Sequence, residues 1–157
     1  MPCYDARCAI PRMSSSDVRE ASSMVGAMSD TEIVKGVDFA PIPTQDLGQA
    51  VQFYGEVLGM RRSVYNPERN YAEFEPGNVT FSVYMPEKMG MDFHANTNHY
   101  ALHVDDVAAA RTELESRGLE FLGDTFDTGV CHMAFFKDPD GNPMMLHHRY
   151  APRVTES

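Results

Sequence analysis

Phe39-Ala-Pro-Ile-Pro-Thr-Gln-Asp46-Leu47 lies, residue over residue, on His99-Tyr-Ala-Leu-His-Val-Asp-Asp106-Val107. Each stretch is a short strand that alternates between two faces and ends at an aspartate. Ala40, Ile42 and Thr44 match Tyr100, Leu102 and Val104 on one side of the pleat. Working outward, a helix follows in both copies. Asp46 and Asp106 are placed as N-caps, because a carboxylate there accepts amide hydrogens that have no partner within the helix. Leu47, Ala50, Val51, Tyr54 and Leu58 recur at helical spacing in the first copy, and Val107, Ala110 and Leu114 in the second. Gly59 and Gly118 supply the stops.

Strands complete each copy. Residues 71–74, 80–85, 130–137 and 144–148 are β-rich or apolar runs. Turn chemistry separates them: Pro76-Gly77-Asn78 in the first half and Asp138-Pro139-Asp140-Gly141-Asn142-Pro143 in the second. Both halves read β-α-β-β-β. The expected organisation is a tail over residues 1–34 and a domain over 35–157, with module one at about 35–92 and module two at about 93–150. The stretch from Met13 to Asp30 is rich in Ser, Ala and Met without sustained periodicity, so residues 1–30 are expected to add nothing to the core.

Composition narrows the function classes. Among 157 residues, 43% are hydrophobic, enough for a core, and the formal net charge is −10. That charge argues against a nucleic-acid partner, which needs a basic stripe to neutralise phosphates, and against an anionic membrane surface. Cys3, Cys8 and Cys131 are too few and too scattered to staple a secreted domain, so a reduced, cytoplasmic setting is expected. No stretch approaches the roughly twenty apolar residues of a membrane span.

Asp46-Leu47 with Phe53-Tyr54 and Leu58-Gly59 resembles the first-module signature of the vicinal oxygen chelate superfamily of glyoxalase, bleomycin-resistance and extradiol-dioxygenase proteins. Val104-Asp105-Asp106-Val107 with Gly118, then Phe136-Lys137-Asp138-Pro139-Asp140-Gly141-Asn142, resembles the second-module signature. The resemblance covers about residues 35–150. It implies an α+β fold, two tandem βαβββ modules whose curled mixed sheets surround a shared cavity, commonly in a homodimer that completes or covers it. It also implies four cavity positions, usually a His or Gln and a Glu from each half, that hold a divalent metal against the vicinal oxygens of a substrate.

Carried over one at a time, those positions fall on Phe39, on Phe81 or Ser82 depending on the gap, on His99 and on Met145. One competent ligand of four does not hold Zn, Mg, Mn or Fe, so no metal and no other cofactor is expected. His99 and His103 share a strand face, but four strand residues span roughly 13 Å, too far to share an ion. His147 shares the face of Met145 two residues on, so a shifted site using His99 and His147 lacks a third donor.

His99 is therefore the leading candidate for acid–base work in the pocket, with His103 and His147 behind it in the same inward phase. His94, His132 and His148 are read as ordinary strand-end or surface histidines, and Cys131 as a buried structural thiol. Phe39, Phe81, Ser82 and Met145 are expected to line the pocket, and their apolar character suits an apolar or aromatic ligand. Three functions fit: a metal-independent isomerase, lyase or cofactor-free oxygenase acting on a small organic metabolite; a non-catalytic drug- or metabolite-binding protein; and a metal-dependent lyase or dioxygenase on a rearranged site. The expected partners are a small-molecule ligand and a second copy of the chain.

Overall fold

The computed structural model describes residues 33–153, and the described elements lie in one compact unit that begins at Val37. The expectation made for residues 1–34 falls almost wholly outside the described residues. The elements run β1 (Phe39–Pro43), α1 (Leu47–Gln52), β2 (Arg62–Asn66), β3 (Tyr71–Phe74) and β4 (Thr80–Tyr84) in module one. Module two has β5 (Tyr100–His103), α2 (Val107–Ser116), β6 (Phe126–Asp127), β7 (Cys131–Lys137) and β8 (Pro143–Arg149). Each module forms a four-stranded mixed sheet, ordered β1-β4-β3-β2 and β5-β8-β7-β6. In both, the opening strand runs parallel to the last strand and the others are antiparallel. The fold is the expected α+β pair of βαβββ modules, with sheets that do not close. Two strands were not read from the sequence, β2 and the two-residue β6, and both lie at sheet edges.

The caps behave as the aspartates suggest. Asp46 Oδ1 accepts from the Gln49 amide at 3.0 Å, and Asp106 Oδ1 from the Ala109 amide at 2.9 Å. After Gln52 the first helix widens into a π-helical turn, Phe53–Val57, in which the Leu58 amide donates to the Phe53 carbonyl at 3.0 Å. The chain leaves it through Gly59 at φ +70°, where a side chain would be strained. Bonds from the Ala109 and then the Ala108 amide hold the Asp106 carboxyl below its usual range. A depressed folded value stabilises above the unfolded pKa, and that stabilisation is lost as pH falls through the folded value. Asp106→Asn, a cap that does not titrate, should therefore match the wild type in urea at about pH 2.5 and fall behind it at about pH 7. An equal deficit at both pH values would remove the charge from this account.

Burial alternates strictly along β3 and β4, and over Met133–Phe136 and Met144–His147 on β7 and β8. Ala72 and Phe74 on β3, Phe81 and Val83 on β4, Ala134 and Phe136 on β7, and Met144 and Leu146 on β8 are buried. They join Leu47, Ala50, Phe53, Tyr54, Val107 and Leu114 from the helices in one cluster drawn from both modules. Each fully buried aromatic or large aliphatic chain in it contributes about 1.5–3 kcal/mol. Phe81, expected to line the pocket, belongs to this core: it is 3% exposed, with its ring 6.4 Å from Tyr54 and 5.3 Å from Tyr100.

Polar side chains seal the seam between the modules. Tyr54 Oη donates to Asp138 Oδ2 at 2.6 Å, and Asn142 Nδ2 donates to the Pro43 carbonyl at 2.9 Å and to Asp138 Oδ2 at 2.7 Å. Asp140 accepts from Thr44 Oγ1 and from the Gln45 amide. The Asn96 amide donates to Asn142 Oδ1 at 2.8 Å. Burial first, and then the Asp138 carboxylate, push the Tyr54 phenol far above the ordinary range, so it stays a donor. The Asp-Pro-Asp-Gly-Asn segment is thus a turn that clasps module one.

Candidate functional site

The face of each sheet turned away from its helix is open, and strand register arranges its side chains in rows. On the first sheet, Phe39 stands beside Thr80, Pro41 beside Ser82 and Pro43 beside Tyr84. Across the next pairings Ser82 faces Glu73 and Tyr84 faces Tyr71, while Glu73 faces Val64 on β2. Phe39 is 55% exposed, and Ser82, Tyr84, Tyr71 and Glu73 are half-buried. Of the two gap placements, the register puts Ser82 on the open face.

On the second sheet Ala101 stands beside Met145 and His103 beside His147. Met145 in turn faces Phe135, and His147 faces Met133. His99, just ahead of β5, is exposed, and its ring meets Phe135 edge-on with centroids 5.3 Å apart. His99, Phe135 and Met145 therefore form one apolar corner with a single imidazole in it. His147 lies one row away, half-buried. His103 departs from His99. Its ring stacks on that of His148 with centroids 6.1 Å apart, and it borders a cleft of about 490 Å³ between the end of the first helix and α2. Leu58, Met60, Leu102 and Leu114 line that cleft, so His103 reaches over the edge of its sheet, away from the corner that His99 shares with Phe135.

His148 and His132 have local partners. His148 Nδ1 donates to the Val104 carbonyl at 3.0 Å, and His132 Nε2 lies 3.6 Å from Asp127 Oδ2. Tyr150 Oη donates to Asp127 Oδ1 at 2.8 Å, and the Gly129 amide and this phenol hold the Asp127 carboxyl low. Cys131 is buried, its Sγ 3.0 Å from Thr128 Oγ1.

A divalent cation does not fit the four family positions. Phe39, Ser82, His99 and Met145 offer one imidazole, one neutral hydroxyl and a thioether, where hard ions need several oxygens and zinc needs three or four N, O or S donors. No group of three His, Cys, Asp or Glu side chains able to hold an ion occurs among the described residues. Nor is any described helix long and apolar enough to cross a membrane.

Sequence reasoning passed over Glu73, Tyr71 and Tyr84. The alternation of Tyr71-Ala-Glu-Phe-Glu75 carries the signal: with Ala72 and Phe74 committed to the core, Tyr71 and Glu73 must share the opposite face.

Known proteins agree with this architecture. The chain is 31% identical over 107 residues to a probable lactoylglutathione lyase of Vibrio parahaemolyticus, covering 61% of this chain and 78% of that protein. A lactoylglutathione lyase from Agrobacterium tumefaciens superposes with a TM-score of 0.63 at 17% identity, over 73% of this chain and 93% of that one. TnmS3, an antibiotic binding protein from Streptomyces sp. CB03234, does so with a TM-score of 0.63 at 22% identity, over 74% and 98%. These two likenesses concern the fold. Residues 36–146 match the sequence model of one family over most of the chain, and with two βαβββ modules in place the chain belongs to the Glyoxalase/Bleomycin resistance protein/Dioxygenase superfamily.

Proposed function

We propose that the chain binds a small apolar organic molecule between the open faces of its sheets and acts on it without a metal, His99 serving as acid and base. One observation carries this reading. Of the four family positions, only His99 keeps a side chain that moves protons near neutral pH, and it stands exposed against Phe135 and beside Met145. The apolar corner excludes water from one side of the imidazole, while the open side admits a ligand. Chemistry of the isomerase, lyase or cofactor-free oxygenase type fits a single proton-transfer group. The kinship with a lactoylglutathione lyase supports a lyase among these.

Chelator-treated protein, screened by NMR against small aromatic and apolar carbonyl compounds in deuterated water, tests this. Turnover or solvent-deuterium uptake is expected in the wild type and should fall about 100-fold or more in His99→Ala, with the thermal midpoint unchanged. Turnover untouched by His99→Ala would sink the catalytic assignment.

A binding protein without turnover is the second reading. It is favoured by the lack, among the described residues, of any hydrogen-bond partner that orients the His99 ring, and by the likeness to an antibiotic binding protein. Saturable binding without turnover would select it.

The site is proposed to be completed by a second copy. Phe39 and Phe126 are each 55% exposed on the open faces, and a symmetric partner would cover them. A dimer mass is expected by light scattering at micromolar protein, and a clean monomer there would remove the covering subunit.

A further inference from the structure

The open face of the first sheet carries a carboxylate flanked by rings. Tyr71 and Tyr84 are cross-strand partners, as are Glu73 and Ser82 in the next row, and Phe39 stands beside Thr80 one row further on. Direct partners sit with Cβ atoms about 4.5–5.5 Å apart, and successive same-face residues about 6.5–7 Å apart along a strand. Glu73 therefore shares its face with both tyrosines and lies one row from them.

The two nearby glutamates differ in their state. Glu75 is tied down, accepting from Ser63 Oγ at 2.7 Å and from Thr80 Oγ1 at 2.9 Å. Among the described residues the Glu73 carboxylate accepts no hydrogen bond and forms no ion pair; Ser63 Oγ reaches its backbone carbonyl instead. Its cross-strand neighbours, Ser82 and Val64, carry no charge. Arg62, nearby on β2, is turned over the Tyr65 ring at 5.0 Å.

From this juxtaposition we propose that the ligand is an organic ammonium on an apolar body, its charge held by Glu73 and by the faces of Tyr71 and Tyr84. A ring quadrupole attracts a cation, and a carboxylate without a protein counter-ion supplies the opposite charge. The formal net charge of −10 raises the local concentration of cations and repels carboxylates and phosphates. In the cavity proposed above, the apolar body then reaches towards Phe135, Met145 and His99 of the second sheet. This inference rests on the cavity reading above and names its substrate class.

Calorimetric titration with 2-phenylethylammonium, 2-phenylethanol and phenylacetate separates the two readings. The ammonium is expected to bind at least about tenfold tighter than the alcohol, and phenylacetate more weakly still. Glu73→Gln, isosteric and half-exposed, should abolish the ammonium's advantage and leave alcohol binding alone. Ala101→Trp, which plants an indole on the open face beside Met145, should weaken both. Equal affinity for ammonium and alcohol in the wild type, preference for phenylacetate, an advantage that survives Glu73→Gln, or no binding of any probe overturns the inference. If alcohol binding is blocked by Ala101→Trp and shows no ammonium preference, the cavity stands and the charge assignment falls. If the ammonium advantage is lost in Glu73→Gln but Ala101→Trp is harmless, Glu73 binds cations on its own sheet and the shared cavity falls.

Discussion

Asp138→Ala should lower the folding free energy by about 3–5 kcal/mol, a third or more of what a domain of this size has to lose. Asp138 is 5% exposed and uses both oxygens fully. Oδ2 accepts from Tyr54 Oη at 2.6 Å and Asn142 Nδ2 at 2.7 Å, and Oδ1 accepts from the amides of Asp140 at 3.0 Å and Asn142 at 2.7 Å. Truncation leaves the phenol, in a fully buried residue, without its acceptor and loosens the turn whose Asn142 and Asp140 grip Pro43, Thr44 and Gln45. Each abandoned buried donor costs about 1–3 kcal/mol. Tyr54→Phe removes one donor and leaves Asp138 three, so its cost should be nearer 1–2 kcal/mol. Urea denaturation of both variants beside the wild type measures the difference. A loss below about 1 kcal/mol for Asp138→Ala would mean that the clasp is incidental and that the apolar cluster alone joins the modules.

That clasp marks the boundary between what the sequence discloses and what it conceals. Asp138-Pro139-Asp140-Gly141-Asn142 reads as a turn from its own residues, because proline and glycine fix local dihedrals. Its partners Pro43, Thr44 and Tyr54 lie 84 to 99 residues away, and nothing in local chemistry selects them. The repeat at Phe39 and His99, the caps at Asp46 and Asp106, and the glycine stops were legible for the same local reason. Strand β2, Arg62–Asn66, was not: its residues are exposed or half-buried at an edge, so no apolar alternation announces it.

The candidate site divides in the same way. Phase along a strand placed Met145 and His147 on one face, yet it could not decide between Phe81 and Ser82, because a gap of one residue inverts the face. Only the pairing of Pro41 with Ser82 fixes that choice. His103 was in phase with His99 but sits at the end of an edge strand, where its side chain reaches over to His148.

The same register makes the metal question decidable. Purified and dialysed protein should carry far less than one equivalent of Zn, Fe, Mn or Ni, and chelator should not lower its melting point. A lone imidazole binds such ions weakly, because affinity comes from several donors held in fixed geometry. Met145→Glu returns a donor in the corner of His99, Phe39→His returns one on the first sheet, and adding Ser82→Glu on the open face of that sheet returns a third. The triple variant should bind zinc more than about a hundredfold tighter than the wild type, provided that the sheets enclose one cavity, since a ligand set split between separate faces would gain little. Replacing His99 by Ala in that variant should take most of the gain away. Stoichiometric metal in the wild type, lost on His99→Ala, would instead show that donors outside the four family positions converge on His99. It would move the chemistry from an imidazole acting alone to a metal on a rearranged site.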